Sequence, residues 1–165
     1  MQLGEGVEWA LHAVVVLAVV PSDSTLPAAR LAEYHGVPPA YLAKHLQALS
    51  QAGIVESVAG RRGGYRLARP AAAITVLDVV QAVEGSTPAF RCTEIRQRGP
   101  AAVASREYRA PCSITKVMRA AEAAWREQLA SVSVLDLVIE VAGAEPSTAS
   151  TTSSTVMAAA GRASR

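Results

Sequence analysis

Proline and glycine residues divide the N-terminal third of the chain into three short helical segments. The apolar stretch 7–20 predicts a first helix that Pro21 ends, because proline cannot continue a helix. A second helix is predicted over 28–35 and a third over about 40–52, each closed by a following glycine. Helices this short bury apolar faces only by packing on one another, so the segment predicts a small helical domain.

A glycine-rich basic turn follows the third helix. Two strand-like runs, 54–58 and 65–68, are separated by Gly60-Arg61-Arg62-Gly63-Gly64. A strand, a glycine-rich turn and a second strand predict a β-hairpin. Two short helices around a tight turn, followed by a basic hairpin, are typical of a winged helix-turn-helix. The predicted fold is therefore mainly α with a small β-hairpin wing.

The remaining chain predicts further helices and a tail. Thr75 and Ser133 each precede an acid by three positions, a pattern that starts a helix. We divide the chain into a winged helix-turn-helix DNA-binding domain (1–87), a loop (88–111), a long dimerisation helix with a final helix (112–143) and a disordered tail rich in Ser, Thr and Ala (144–165).

The positive charge of the chain is concentrated in one segment. The whole protein carries a formal charge of only +2. Between residues 30 and 70, however, six basic residues face two acids, a local excess of +4. Such an excess on a predicted winged helix suggests phosphate binding.

The third helix has a distinct face for reading DNA. Its leucines fall within a narrow arc that should face the core, whereas small and polar residues lie on the opposite side. Arg61 and Arg62 at the hairpin tip would enter a minor groove or grip phosphates. The predicted DNA-binding residues are Tyr41, Lys44, Gln47, Gln51, Arg61 and Arg62. A solvated surface, or a winged-helix module that binds protein, is the alternative.

A single apolar stripe runs along the long helix after residue 112. Its members follow one another at three- or four-residue steps, so they lie on one side of the helix. A two-fold copy of the chain is the simplest partner, and it would match a palindromic operator in double-stranded DNA. Packing on its own chain is the alternative. The predicted homodimer interface comprises Ile114, Met118, Ala121, Trp125 and Leu129.

Several classes of protein are disfavoured by the sequence. Two cysteines are too few for a disulfide scaffold. The apolar stretch 7–20 is too short and too polar to span a membrane, and no basic segment precedes it, so we expect a cytoplasmic protein. No nucleophile with a suitable base and no phosphate-binding loop is apparent, so we expect no enzyme.

Several short stretches of the chain resemble the Rrf2 family of bacterial winged-helix regulators. The resemblance covers about residues 1–141 and is strongest in the wing and the segment after it. It is carried by Met1-Gln2-Leu3, Glu8-Trp9-Ala10-Leu11, Tyr41-Leu42-Ala43-Lys44, Gly63-Gly64-Tyr65, Leu67-Ala68-Arg69-Pro70, Ile74-Thr75, Asp78-Val79-Val80 and Val83-Glu84-Gly85. Iron–sulfur members of this family, the IscR and NsrR type, usually carry three grouped cysteines, and this chain has only two.

The stretch 90–100 resembles a redox-sensing branch of the family, the RsrR type. That resemblance implies a two-iron, two-sulfur (2Fe-2S) cluster shared between subunits and held by two cysteines, a histidine and a glutamate. The matching positions are Glu8 and His35 of one chain with Cys92 and Cys112 of the other. Residues 88–111 would then form the cluster-binding loop. Imidazole in place of thiolate raises the reduction potential of such a cluster.

Other interpretations of these residues stay open. Glu8 and His35 would also suit the two ends of helices as ordinary charged groups, and both cysteines would suit a buried position. A regulator of the same fold without metal would sense oxidants through the thiols of Cys92 and Cys112. Of the other histidines, His12 is expected to pack on its own helix and His45 to contact the DNA backbone.

Overall fold

The computed structural model describes residues 3–60, 63–100, 102 and 112–144. Arg61 and Arg62 of the predicted wing tip, and the predicted tail beyond residue 144, lie outside the described residues. The helices are α1 (Glu5–Val19), α2 (Ala28–His35), α3 (Pro39–Gln51), α4 (Val76–Glu84), α5 (Ser113–Ala130) and α6 (Val134–Ala144); the strands are β1 (Val55–Val58) and β2 (Gly64–Leu67), and short 3-10 turns occupy Ala71–Ala73 and Ile95–Gln97.

The described residues form two compact units. We call the first the winged-helix unit, which contains residues 3–86 together with 129–144. We call the second the long-helix unit, which contains 87–100, 102 and 112–128. The mainly helical fold with its two-stranded wing confirms the predicted fold class.

The core of the winged-helix unit consists of aliphatic side chains from α1 to α4, from β1 and α6, and from the segments between them. Leu42, Leu46 and Leu49 of α3 have no exposed surface, which confirms the predicted core face of that helix. The α3 helix begins with Pro39 in its first turn, where a missing N–H costs nothing. Gly36 ends α2 in the left-handed conformation, with φ of 65°.

The wing is an antiparallel hairpin joined to the loop before α2. Val55 pairs with Leu67 at its base, and Val58 pairs with Gly64 near its tip. Leu26 and Tyr65 exchange two backbone hydrogen bonds of 2.9 and 2.8 Å. A Cβ atom at Gly64 would come within 2.5 Å of the Leu26 carbonyl carbon, so only glycine permits this approach.

The final helix α6 packs in the winged-helix unit. The backbone N–H of Val134 donates to the Ile74 carbonyl at 2.8 Å, and that of Val76 donates to the Val132 carbonyl at 2.9 Å. Val134 itself is fully buried. Thr75 caps α4 with a reciprocal pair of hydrogen bonds to Asp78, as its sequence pattern predicted.

The α5 helix of the long-helix unit leaves its apolar side chains largely uncovered. Thr115 is its only buried residue among those described. Ile114 is 63% exposed and Met118 is 39% exposed; Ala121 is exposed, whereas Trp125 is half-buried. Leu129 at the end of α5 is also half-buried and belongs to the winged-helix unit. In the part of the chain that the structure describes, no helix is long and apolar enough to cross a membrane.

Candidate DNA-reading face and metal-ligating residues

The outer face of α3 presents the side chains predicted to read DNA. Tyr41 is 63% exposed, and Lys44, Gln47 and Gln51 are exposed as well. The buried leucines fix the rotation of the helix, because they occupy the opposite side of its circumference. The face can therefore donate hydrogen bonds to a ligand of suitable shape, and Lys44 adds one positive charge.

Ion pairs reduce the free positive charge of the basic segment. Arg30 pairs with Glu33 at 2.7 Å, and Arg66 pairs across the wing with Glu56 at 2.6 Å. The Nη2 atom of Arg69 lies 3.4 Å from the carboxylate of Asp78. Counting charges over 30–70 missed Asp78, which lies beyond that window. Lys44 makes no ion pair within the described ranges and remains the cation of the reading face.

His35 ends α2 and presents a buried ring nitrogen. Its Nε2 atom is buried and has no hydrogen-bond partner among the residues that the structure describes. The ring lies 5.6 Å from that of His12 and 4.9 Å from that of Tyr34, centroid to centroid. Burial lowers the pKa of His35, and the nearby His12 lowers it further, although a hydrogen bond with the His12 backbone opposes both. The imidazole is therefore held in the neutral form that binds metal.

Glu8 is exposed on α1, one helical turn before His12. Both side chains line an open groove of about 400 Å³, together with Leu3, Val7 and Leu11. The ring of His12 lies beside that of His35. Glu8 and the imidazole of His12 thus line one groove, and His35 is the next ring beyond His12.

The two cysteines lie on either side of an ion pair in the long-helix unit. The thiol of the exposed Cys92 donates to Glu94 at 3.4 Å, and Glu94 pairs with Arg96 at 2.5 Å. Hydrogen bonds with the backbone of Thr115 and Ile114, at the start of α5, lower the pKa of Cys112. The charge of Arg96 lowers that pKa as well. Arg96 thus acts on Cys112 and, through Glu94, lies close to Cys92.

The four predicted ligands are divided evenly between the two units. Glu8 and His35 belong to the winged-helix unit, whereas Cys92 and Cys112 belong to the long-helix unit. Within the described residues, no three His, Cys, Asp or Glu side chains are grouped to hold a metal ion. Both cysteines are free thiols.

His45 occupies a position that the sequence did not indicate. Its ring lies edge-to-face with Trp9 of α1, at 6.1 Å between centroids and 74° between planes. The ring packs against α1 and is partly exposed, so its expected contact with the DNA backbone stays a prediction. Burial lowers the pKa of His45, with a further lowering by Lys44 and an opposing effect of Glu84. The signal in the sequence is Gly6, whose missing side chain leaves room for this ring.

Comparison with known families finds one match over most of the chain. The model of the Rrf2 family, described as an iron-dependent transcriptional regulator, matches residues 3–140. A putative HTH-type transcriptional regulator of Mycobacterium tuberculosis, MT1325, is 30% identical over 140 residues, which cover 83% of this chain and 81% of the relative. The putative HTH-type transcriptional regulator YwgB of Bacillus subtilis is 39% identical over 85 residues, which cover 52% of this chain and only 54% of that relative.

Solved structures share the fold. The T. potens IscR structure has a TM-score of 0.66 at 24% identity and covers 88% of this chain and 91% of its own. The structure of CymR, titled the global cysteine regulator of B. subtilis, has a TM-score of 0.62 at 24% identity and covers 85% of this chain and 98% of its own. Identities this low show the winged-helix fold and its long helix alone.

Proposed function

The chain belongs to the Rrf2 family of transcriptional regulators, and we propose that it binds palindromic operator DNA as a homodimer and senses redox state. The sensing group is a 2Fe-2S cluster that bridges the two subunits. Glu8 and His35 of one subunit hold it together with Cys92 and Cys112 of the other. The protein acts in the cytoplasm and carries out no enzymatic reaction.

The buried Nε2 atom of His35 is the observation that carries this proposal. A buried polar atom without a partner costs about 1–3 kcal/mol unless something bonds to it. The neutral ring, with its lowered pKa, offers a lone pair for metal. Glu8 adds an exposed carboxylate in an open groove that it shares with His12, the ring neighbour of His35, and the groove leaves room for a ligand.

The chemistry of the cysteine pair also supports the proposal. Thiolates are the usual ligands of iron–sulfur clusters. The start of α5 favours the thiolate form of Cys112, because backbone N–H groups stabilise negative charge there. Cys92 is exposed and held by the Glu94–Arg96 pair, so its sulfur is accessible to a partner subunit.

The bound cluster would supply a reversible one-electron change close to the DNA-reading helices. Glu8 stands on α1, and His35 ends the helix that leads into α3. A change in how these two side chains are held shifts the positions of both helices. Such a shift regulates transcription only if the two redox states differ in operator affinity.

DNA recognition follows from the exposed face of α3. Gln47 and Gln51 supply amides suited to base edges in the major groove, and Lys44 supplies a cation for phosphate or guanine. The predicted wing residues Arg61 and Arg62 add phosphate contacts. Binding to duplex DNA that weakens steeply with salt distinguishes this function from that of a protein-interaction module.

Anaerobic purification from iron-replete cells tests the cluster. We expect a brown dimer with two irons and two sulfides per cluster and visible absorption that changes on reduction. Cys92→Ser and His35→Ala should lose most of the iron. Glu33→Gln is the matched control for Glu8→Gln, because Glu33 is an exposed acid of α2 that pairs with Arg30 and is not among the proposed ligands. Full iron content in Glu8→Gln and His35→Ala would contradict the ligand set.

The same fold with thiol sensing is a second candidate. It is favoured by the exposure of Cys92 and by the lowered pKa of Cys112, since thiolates react with oxidants. A colourless protein with full iron supply, whose operator affinity changes on treatment with peroxide and is restored by dithiothreitol, would support it. The cluster proposal would then be rejected.

A further inference from the structure

The imidazole of His45 projects from the DNA-reading helix α3 and packs against the start of α1. Its ring lies directly on the backbone of Gly6, where an added Cβ atom would overlap the ring atoms Cε1 and Nε2. The same ring meets Trp9 edge-to-face at 6.1 Å between centroids. Gly6 and Trp9 stand two residues before and one residue after Glu8 on the first turns of α1. His45 therefore contacts one residue on each side of Glu8 in the sequence.

Along α3, His45 is a neighbour of the residues that form the reading face. Lys44 precedes it and Gln47 follows two positions later, and both are exposed on the face proposed to contact DNA. A displacement of His45 therefore moves the backbone that carries these two side chains. The ring is a point at which α3 contacts the segment around Glu8.

The start of α1 is also held at a neighbouring point. The backbone N–H of Gly4 donates to Oε1 of Glu84, at the end of α4, at 3.0 Å. Glu84 and Lys44 are the charged groups that act on His45. The start of α1 is thus held by α4 at Gly4 and contacts α3 through His45 at Gly6.

We propose that His45 is the positioning residue through which a displacement of the Glu8 segment reaches the DNA-reading helix. This inference rests on the proposed function, since Glu8 is one of the proposed cluster ligands. The contact leaves no gap at Gly6, and close-packed side chains transmit displacements instead of absorbing them. The coupling depends on a ring at position 45, and that ring does not need to carry a charge.

Operator titrations of the full dimer in both redox states test the coupling. The quantity is the ratio of operator affinities between oxidised and reduced protein, which we expect to be about tenfold or more in the wild type. His45→Ala should reduce that ratio to within about twofold, and His45→Phe, which keeps a ring against Trp9, should restore most of it. Gln51→Ala is the control on the same helix, and it should weaken both states equally and leave the ratio unchanged.

The reduction potential supplies an independent readout, because coupling between two sites is reciprocal. A tenfold redox dependence of operator affinity requires operator binding to shift the one-electron potential by about 59 mV. In His45→Ala that shift should vanish, whereas the potential and visible spectrum of the DNA-free protein stay as in the wild type. A merely structural defect would change the DNA-free spectrum or the melting temperature instead.

Gly6→Ala changes the same contact from the α1 side. It provides a second test of the coupling if His45→Ala fails to fold. The added methyl group must displace the ring, so the affinity ratio should fall here too. A wild-type ratio in either His45→Ala or Gly6→Ala overturns the role of His45, as does a His45→Phe protein no better coupled than His45→Ala. Equal operator affinity of the two states in the wild type would instead reject redox sensing itself, and this inference with it.

Discussion

The winged-helix unit and α5 of the long-helix unit differ in how they bury apolar side chains. The former buries its leucines and valines against one another, so that α3 alone contributes three side chains without exposed surface. The latter buries only Thr115 among its described residues and leaves Ile114 and Met118 open. The first arrangement covers its apolar side chains within one unit, whereas the second leaves apolar surface of the kind that marks an interface. The difference indicates where a partner would bind.

Removal of a core leucine should give the largest loss of folding free energy. Leu46→Ala deletes a fully buried side chain of α3, and such deletions cost about 2–5 kcal/mol. Urea denaturation followed by circular dichroism measures the change in the free energy of unfolding. Met118→Ala on the exposed stripe of α5 is the control and should alter that free energy far less when measured below the dimer dissociation constant. Equal losses would remove the distinction between the two regions.

Charges on the exposed stripe should break the dimer and leave the fold intact. In Ile114→Asp with Met118→Asp, two apolar side chains worth about 1.5–3 kcal/mol each on burial are lost. The dimer dissociation constant should rise by about a hundredfold or more, because 1.4 kcal/mol corresponds to a factor of ten. Analytical ultracentrifugation measures it. Lys116→Asp together with Arg119→Asp introduces the same carboxylates at exposed polar positions of α5 and serves as the control. A double stripe variant that stays dimeric would place the interface elsewhere.

The cap of α4 should contribute a smaller, local share of stability. Thr75→Ala removes the hydroxyl that accepts a hydrogen bond from the Asp78 N–H at 3.1 Å. Loss of such a cap costs about 1 kcal/mol. Thermal unfolding should show a lower melting temperature without a change in dimer affinity. A fall in dimer affinity alone would mean that Thr75 supports α5 rather than the winged helix.

The smallest effect concerns the pH dependence of the winged-helix unit. Because burial lowers the pKa of His45 below its usual value of 6.5, the unfolded chain takes up a proton before the folded chain does. The free energy of unfolding should therefore fall as the pH is lowered through about 6.5 toward the folded pKa, and stay constant with respect to this group above it. His45→Phe should flatten that part of the profile. Denaturation at several pH values with the metal-free protein measures it, and an unchanged slope would contradict the buried state of the ring.

Much of the winged helix was predictable because its signals are local. Proline at the start of α3, glycine after α2 and the cap at Thr75 each act through neighbouring backbone, so short sequence patterns place them. The alternation of leucines with polar residues on α3 also sets its rotation. That rotation alone predicted that Tyr41, Lys44, Gln47 and Gln51, the residues proposed to read DNA, lie exposed on one face.

Long-range contacts were beyond the sequence. The pairing of Arg69 with Asp78 and the packing of His45 on Gly6 join segments whose approach depends on the tertiary fold. Nothing in a local pattern indicates that α6 packs against Ile74 and Val76. The four proposed metal ligands share no spacing motif either. Family resemblance suggested them, and the partnerless nitrogen of His35 adds a physical reason.

The bridge between Leu26 and Tyr65 constrains how the protein could search a duplex. It ties the start of β2, near the tip of the hairpin, to the segment that enters α2, through two hydrogen bonds and a glycine with no room for a side chain. Contacts of the hairpin with the DNA backbone and contacts of α3 with the bases would then form together. A DNA half-site in the wrong register would lose both sets of contacts at once. The protein should therefore slide quickly past sequences that resemble its operator, and it should bind the operator itself in a single step.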